Sequence, residues 1–266
     1  MDMSADRIRL GRNAPGVERL EACLHGQAFA PHRHDTYAIG ITLSGVQRFQ
    51  FRGRTWHCLP GQCHVLHPDE LHDGGAGNEE GFRYRIVYID PALLQDALQG
   101  RPLPFIANPV VDVPRLHAHA LREVWDIDSE LDELSRIGIV DALATWLRGV
   151  AAGTYRSEKR IALQPLLRVR ECIAAAPAVR HSMEELERIA DMDRWTLARQ
   201  FRAAFGTSPS RFRTLRRLDH LRALVASGSS LGTAALDAGF ADQAHMSRQF
   251  KLAVGMTPAR WARTMA

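Results

Sequence analysis

The sequence predicts an α+β chain: an N-terminal antiparallel β-barrel, two helices after it, and an all-α C-terminal domain built on two helix–turn–helix units. Three observations predict it. Short alternating runs broken by Gly, Pro and Asp fill the first third of the 266 residues. From residue 114 the apolar spacing changes to steps of three and four. The stretch LARQFRAAFGTSPSRF at 197–212 returns 49 residues later as MSRQFKLAVGMTPARW at 246–261, with 7 of 16 positions identical. A repeat of that period is one supersecondary unit used twice.

The strand candidates are 37–45, 46–53, 54–61, 63–70 and 82–90. Within 82–89, Phe82, Tyr84, Ile86 and Tyr88 face one way and Arg83, Arg85, Val87 and Ile89 the other. Several short strands at near-regular spacing predict a small barrel or sandwich. Over 114–151, Leu121, Val124 and Trp125, then Leu134, Ile137, Leu143, Trp146, Leu147 and Val150, predict two amphipathic helices around an acidic turn, DIDSELDE. Residues 153–164 read as a linker, dividing the chain into 1–112, 113–152 and 165–266.

In the C-terminal part, Ser182 and Glu185 form an S-x-x-E capping box before a helix carrying Leu186 and Ile189. A turn at 190–192 follows, and Asp193 caps a second helix to Phe205. The second copy uses 231–238 as its first helix, AGFAD as the turn, and Asp242 as the cap of 243–253. Each copy ends at a Gly and restarts at Ser/Thr-Pro. Between them, residues 211–228 form one long helix with Phe212, Leu215, Leu218, Leu221 and Val225 on its apolar side.

Length implies two domains. Hydrophobic and charged fractions of 45% and 24% are those of an ordinary globular protein. No 18-residue apolar run is present and the N-terminal stretch has no apolar core, so neither a membrane span nor a secretory signal is expected. The four scattered Cys read as reduced thiols of a cytoplasmic protein. Residues 166–266 hold 16 Lys and Arg against 9 Asp and Glu, leaving 18 against 21 before them. The basic surplus thus sits with the repeat, as phosphate binding requires, although charge alone also fits a solvated surface. Nine of the twelve His lie before residue 120. No Ser-His-Asp grouping, phosphate loop or paired-carboxylate motif stands out, so no catalytic residue is assigned.

Residues 166–266 resemble the DNA-binding domain of AraC-type transcription regulators, on LARQFRAAFGTSP, AALDAGFADQAHMSRQFK and GMTPARW. The resemblance implies two helix–turn–helix units reading neighbouring major-groove segments, about 34 Å apart on one face of the duplex. Carried over by position, the reading side chains are Arg194, Trp195 and Arg199, then Gln243, His245, Ser247 and Arg248. Arg suits guanine and Gln adenine, whereas Ala198 and Ala244 are short for base contact. Arg202 and Lys251 suit phosphate. Arg199 and Arg248 could instead pair with Asp193 or Asp242; Leu197, Phe201, Phe205, Met246, Phe250 and Val254 read as core.

Residues 30–75 resemble a cupin-like barrel, on APHRHDTYAIGITLSG and LPGQCHVLHPDELHD. This implies a small-molecule effector in the barrel, with His32, His34 and His72 as its contacts, and a homodimer formed through helices 114–151. His32-x-His34 also has metal-ligand spacing, with His64, His67 and His72 nearby. Ala38 and Ile39 stand where a metal cupin would carry Glu, so neither a metal nor another cofactor is assigned. Arg48, Arg83 and Arg85 suit either an acidic ligand or a wet sheet face, and Trp56 and Tyr88 the core or a pocket wall. The leading expectation is a dimeric, effector-responsive regulator, activation included, whose partners are double-stranded DNA, the effector and RNA polymerase, with no membrane. The alternative is a metal-dependent cupin enzyme fused to a DNA-binding domain.

Overall fold

The computed structural model describes residues 6–112, 122–151 and 160–264. Its N-terminal part carries two antiparallel sheets. The larger has strand order β1–β2–β9–β4–β7–β10, from β1 (Arg7–Leu10), β2 (Val17–Leu24), β4 (Tyr37–Gly45), β7 (Gln62–Leu66), β9 (Phe82–Ile89) and β10 (Val110–Asp112). The smaller has order β3–β8–β5–β6, from β3 (Phe29–His32), β5 (Gln47–Phe51), β6 (Arg54–Cys58) and β8 (His72–Ala76). The five sequence-predicted strands are present. The alternation in β9 has a physical use on both faces. Phe82, Tyr84, Ile86 and Tyr88 pack between the sheets with Leu20, Phe49 and Phe51. Val87 and Ile89 pack beneath the helices instead.

Those helices are α1 (Pro91–Leu98), α2 (Arg122–Trp125) and α3 (Glu133–Val150). They cover the outer face of the large sheet, where Leu94, Leu98, Leu143, Trp146 and Leu147 meet Tyr37, Ile39, Val65 and Val87. This splits the apolar stripe expected to form a dimer interface. Leu143, Trp146 and Leu147 are spent on the chain's own core. Of that stripe, Leu134 (79% exposed) and Ile137 (53%), in the first turns of α3, remain outside. The helix expected before residue 122 falls mostly outside the described residues.

The C-terminal part is helical: α4 (Leu163–Ala175), α5 (Met183–Ala190), α6 (Arg194–Phe205), α7 (Pro209–Ala226), α8 (Leu231–Asp237), α9 (Gln243–Val254) and α10 (Pro258–Thr264). The caps read from the sequence are in place: Ser182, Asp193, Ser208 and Asp242 each accept a backbone N–H of the following turn, and Ser230 does the same for α8. Gly206 (φ 75°) and Gly255 (φ 76°) stop α6 and α9 in the left-handed conformation that suits glycine. Phe212 of α7 enters the core of the first unit, while Leu215, Leu218 and Leu221 enter that of the second. One helix thus fixes the two units relative to each other. No helix among the described residues is long and apolar enough to cross a membrane.

A histidine cavity and two exposed helix faces

A cavity of about 490 Å³ lies where the barrel meets the helical domain. His32, His34, His64, His72 and Tyr88 line it from the barrel; Leu218, Arg222, Met256 and Trp261 line it from the helical domain. The barrel residues reach it through strand parity. Ala38 and His64 stand on the inner side of β4 and β7, while Ile39, Cys63 and Val65 point to the outer core.

The structure brings His32, His34 and His72 together: ring centroids are 4.3 Å apart for His32–His72 and 4.8 Å for His34–His72. His32 and His72 are directly paired across β3 and β8. Burial lowers all three from the usual histidine range, His34 to about 3 and His72 well below that usual range, and for His34 and His72 the neighbouring imidazoles add to the effect. The cluster is therefore uncharged near neutral pH. His64 is fully buried between Phe49 and Tyr84, and among the described residues neither ring nitrogen has a hydrogen-bond partner. Gly40 makes room for it, since a Cβ there would overlap its ring. His67 is a structural residue: Nε2 accepts from Ile106 N at 3.0 Å, and the ring packs on Tyr37 and Phe105.

The arginines weighed as acid-binding groups are committed elsewhere. Arg83 and Arg85 both pair with Glu21, and Arg48 bonds Gln27. Trp56 packs against the inter-sheet core. At the cavity rim, Arg216 holds Asp35 at 2.8 Å, yet burial still pushes that carboxyl up to about 6. Arg222 reaches Glu18 at 3.6 Å and Asp219 at 3.7 Å.

Of the side chains assigned to the reading helices, Arg199, Gln243 and Arg248 are exposed, and His245 and Ser247 half-buried. Trp195 is 77% exposed, although it is a large aromatic. Arg199 bonds Thr196 rather than Asp193, whose carboxylate is used in capping. Arg194 is less free, with Glu187 at 3.3 Å and Glu184 at 3.6 Å. Lys251 is exposed, while Arg202 leans on Asp69 of the barrel at 3.6 Å. Leu197, Phe201, Phe205, Met246 and Phe250 are buried, and Val254 half-buried. A second group of metal-type ligands, Cys172, His181 and Glu185, joins α4 to α5, with His181 Nδ1 3.8 Å from Cys172 Sγ and 3.4 Å from Glu185.

Sequence reasoning did not reach the seam between the two parts. Ala30 N donates to Gly255 O and Arg33 N to Leu252 O, which seats the end of α9 on β3. Arg211 reaches Asp69 at 3.7 Å and the carbonyl of Arg33. Arg260, its counterpart in the repeat, reaches Asp6 at 3.8 Å. The signal was there in part: two arginines identical in the repeat have docking as a reason. It also missed Arg19, fully buried, whose guanidinium donates to the carbonyls of Arg12, Glu123, Asp126 and Ser129 and so pins the acidic turn to the barrel.

Comparison with known proteins agrees with this architecture. Residues 14–145 match the family model described as AraC-like ligand binding domain, and residues 186–264 match the helix-turn-helix domain. The chain is 24% identical over 226 residues to the uncharacterized HTH-type transcriptional regulator YbfI of Bacillus subtilis strain 168, covering 83% of this chain and 82% of that protein. Its fold is similar to that of ToxT from Vibrio cholerae (TM-score 0.65, 11% identity, 98% of this chain and 99% of that one). It is also similar to that of ToxT with an unsaturated fatty acid bound (TM-score 0.62, 12% identity, 100% and 98%). With a ligand-binding barrel followed by paired helix–turn–helix units, the chain belongs to the AraC-type transcription regulators.

Proposed function

We propose that this regulator responds to a small-molecule effector bound in the histidine cavity. The observation that carries the reading is the cavity's shared wall: His32, His34 and His72 belong to one domain, Leu218, Arg222, Met256 and Trp261 to the other. A molecule held there touches both, so its affinity depends on how they dock, and it shifts that equilibrium by the difference. The fatty acid named for the ToxT structure supports a small-molecule role for a cavity in this fold.

On this reading α6 and α9 enter successive major grooves of double-stranded DNA. Arg199, Trp195, Gln243, His245, Ser247 and Arg248 face bases, Arg202 and Lys251 face phosphates, and Arg194 joins them by leaving its glutamates. Leu134 and Ile137, exposed on α3, begin a homodimer contact. The protein works in the cytoplasm with RNA polymerase. The test is a thermal-shift screen followed by fluorescence anisotropy on operator DNA with each stabilising compound. Support is a compound that changes DNA affinity in the wild type and not in Leu218→Trp, which fills the cavity. The proposal fails if effector-dependent binding is unchanged in that variant.

A further inference from the structure

Cys172 lies near the end of α4, His181 follows in the connection to α5, and Glu185 is the third residue of α5. Cys172 Sγ is 3.8 Å and the Glu185 carboxylate 3.4 Å from Nδ1 of His181. The ligand-type atoms of the three residues all lie within 4.8 Å of one another. The helix cap holds the group in place: Glu185 N donates to Ser182 Oγ at 3.1 Å, which fixes the first turn of α5 directly after His181. The His181 side chain is 6% exposed and that of Glu185 39%, so the group opens to solvent on the Glu185 side.

Thiol, imidazole and carboxylate together serve either a nucleophilic triad or a metal. In a triad the nucleophile and the acid take opposite nitrogens of the ring, one giving its proton while the other orients the imidazole. Here both face Nδ1, and among the described residues the buried Nε2 has no hydrogen-bond partner. Three unlike donors around one point are a ligand set instead. The distances fit one. With Zn–S of about 2.3 Å and Zn–N and Zn–O of about 2.1 Å, the edges of a tetrahedron are ~3.6 Å for S···N and ~3.4 Å for N···O. The observed 3.8 and 3.4 Å stand close to both. The sulfur–carboxylate edge, at most 4.8 Å, closes to about 3.6 Å by rotation of the partly exposed Glu185 side chain.

We propose that Cys172, His181 and Glu185 bind one zinc-class divalent ion through Sγ, Nδ1 and a carboxylate oxygen, with a fourth position open to solvent. A thiolate beside an imidazole selects such ions over calcium or magnesium. As ligands the thiolate and carboxylate supply two negative charges, which balance those of the ion. The ion clasps α4 to the entry of the first helix–turn–helix unit, and the connection it closes also supports the second. Arg213 of α7 donates to the carbonyls of Pro177, Ala178 and Val179. Gly239, in the turn of the second unit, packs on Ala178 so closely that a Cβ there would sit 3.0 Å from its Cα. A clasp at one end of 176–182 therefore bears on both units.

The test uses tag-free full-length protein, kept reduced, stripped with EDTA and titrated with Co²⁺ or Zn²⁺. A thiolate ligand gives cobalt a near-ultraviolet charge-transfer band that imidazole and carboxylate alone do not. The expected result is that band, saturating at one Co²⁺ per chain and displaced by Zn²⁺. It should vanish in Cys172→Ser. In His181→Gln and Glu185→Gln the cobalt Kd should rise by at least about 10-fold, the loss that even an outer-shell change produces. Where a variant does not fold, alkylation of the wild type decides: Zn²⁺ should slow modification of Cys172, mapped by peptide mass spectrometry, and leave that of Cys23 unchanged. The site is refuted by a wild type without the thiolate band, by a band that survives Cys172→Ser, or by equal affinity in His181→Gln and Glu185→Gln. Alkylation of Cys172 that ignores Zn²⁺ refutes it as well, leaving a thiol–imidazole hydrogen bond. Zn²⁺ should also slow amide exchange in 176–182 and 238–240 together; slowing confined to the first stretch refutes the link to the second unit.

Discussion

Asp69 is the charge by which the barrel holds Arg202, and neutralising it is expected to release that arginine to DNA. Its carboxylate lies 3.6 Å from Arg202 and 3.7 Å from Arg211. Asp69→Asn is the clean perturbation. Asp69 sits at φ 60°, a conformation Asn also tolerates, and the side chain keeps its shape. Arg202 is mostly exposed, so its pair contributes at most ~1 kcal/mol. Arg211 is half-buried against a nearly buried carboxylate, so losing that partner costs about 1–2 kcal/mol. Docking should therefore weaken by roughly 1–3 kcal/mol in all, on the same pairwise magnitudes. If Arg202 contacts phosphate once freed, log K against log salt steepens by about 0.9, one extra phosphate. The assay is anisotropy of a labelled operator duplex across a salt series, for wild type, Asp69→Asn, Arg202→Ala and the double variant. The steepening should vanish in the double variant. Equal slopes for wild type and Asp69→Asn would refute the idea that the barrel sequesters a phosphate contact.

Arg199→Ala and Arg248→Ala should each lower operator affinity by ~1–3 kcal/mol and relax base preference locally, measured by competition with single-base operator variants. Arg194→Ala should lose less, because Glu187 and Glu184 already hold that guanidinium; a larger loss than Arg199→Ala would show the pairing is abandoned on DNA. Leu134→Glu with Ile137→Glu should shift sedimentation toward monomer with little change in Tm, since both are exposed, whereas Leu143→Ala should destabilise the fold by about 2–5 kcal/mol. Acid should destabilise the barrel through His67, which burial lowers to about 3. Its folded value lies below the unfolded one, so stability is full above about pH 6.5 and falls by ~1.4 kcal/mol per pH unit below it. His67→Gln should flatten chemical-denaturation stability against pH by that slope, and an unchanged slope would show that His67 does not titrate with unfolding.

The helical domain was legible because its signals are local. Ser182, Asp193, Asp242, Gly206 and Gly255 act within a turn of where they stand, and the repeat doubles each of them. The barrel was legible where both faces of a strand carry bulk, as in 82–89. It was not legible at 17–24, VERLEACL, where Glu and Arg interrupt the pattern. There Arg19 is buried by carbonyls more than a hundred residues away and Glu21 by two arginines of β9. No local rule predicts a buried charge whose partners arrive with the fold.

The histidines show the same limit at finer grain. Spacing placed His32 and His34 together, and the missing acid at 38 argued against a metal. What the sequence could not show is the direction of three backbone carbonyls. Those of Ala30, Thr36 and Glu70 each take the Nδ1 hydrogen of a ring two residues away, and that choice turns three interchangeable imidazoles into three acceptors of one kind. The same strand end also meets α9: a Cβ at Gly255 would sit 2.7 Å from His32 Nδ1. A ring that forms part of the cavity cluster is thus packed against the end of α9, the helix proposed to read DNA. Moving His32 by a few tenths of an ångström changes the fit at that contact, because packed interiors leave no slack to absorb it. Ligand chemistry and helix docking therefore share one side chain.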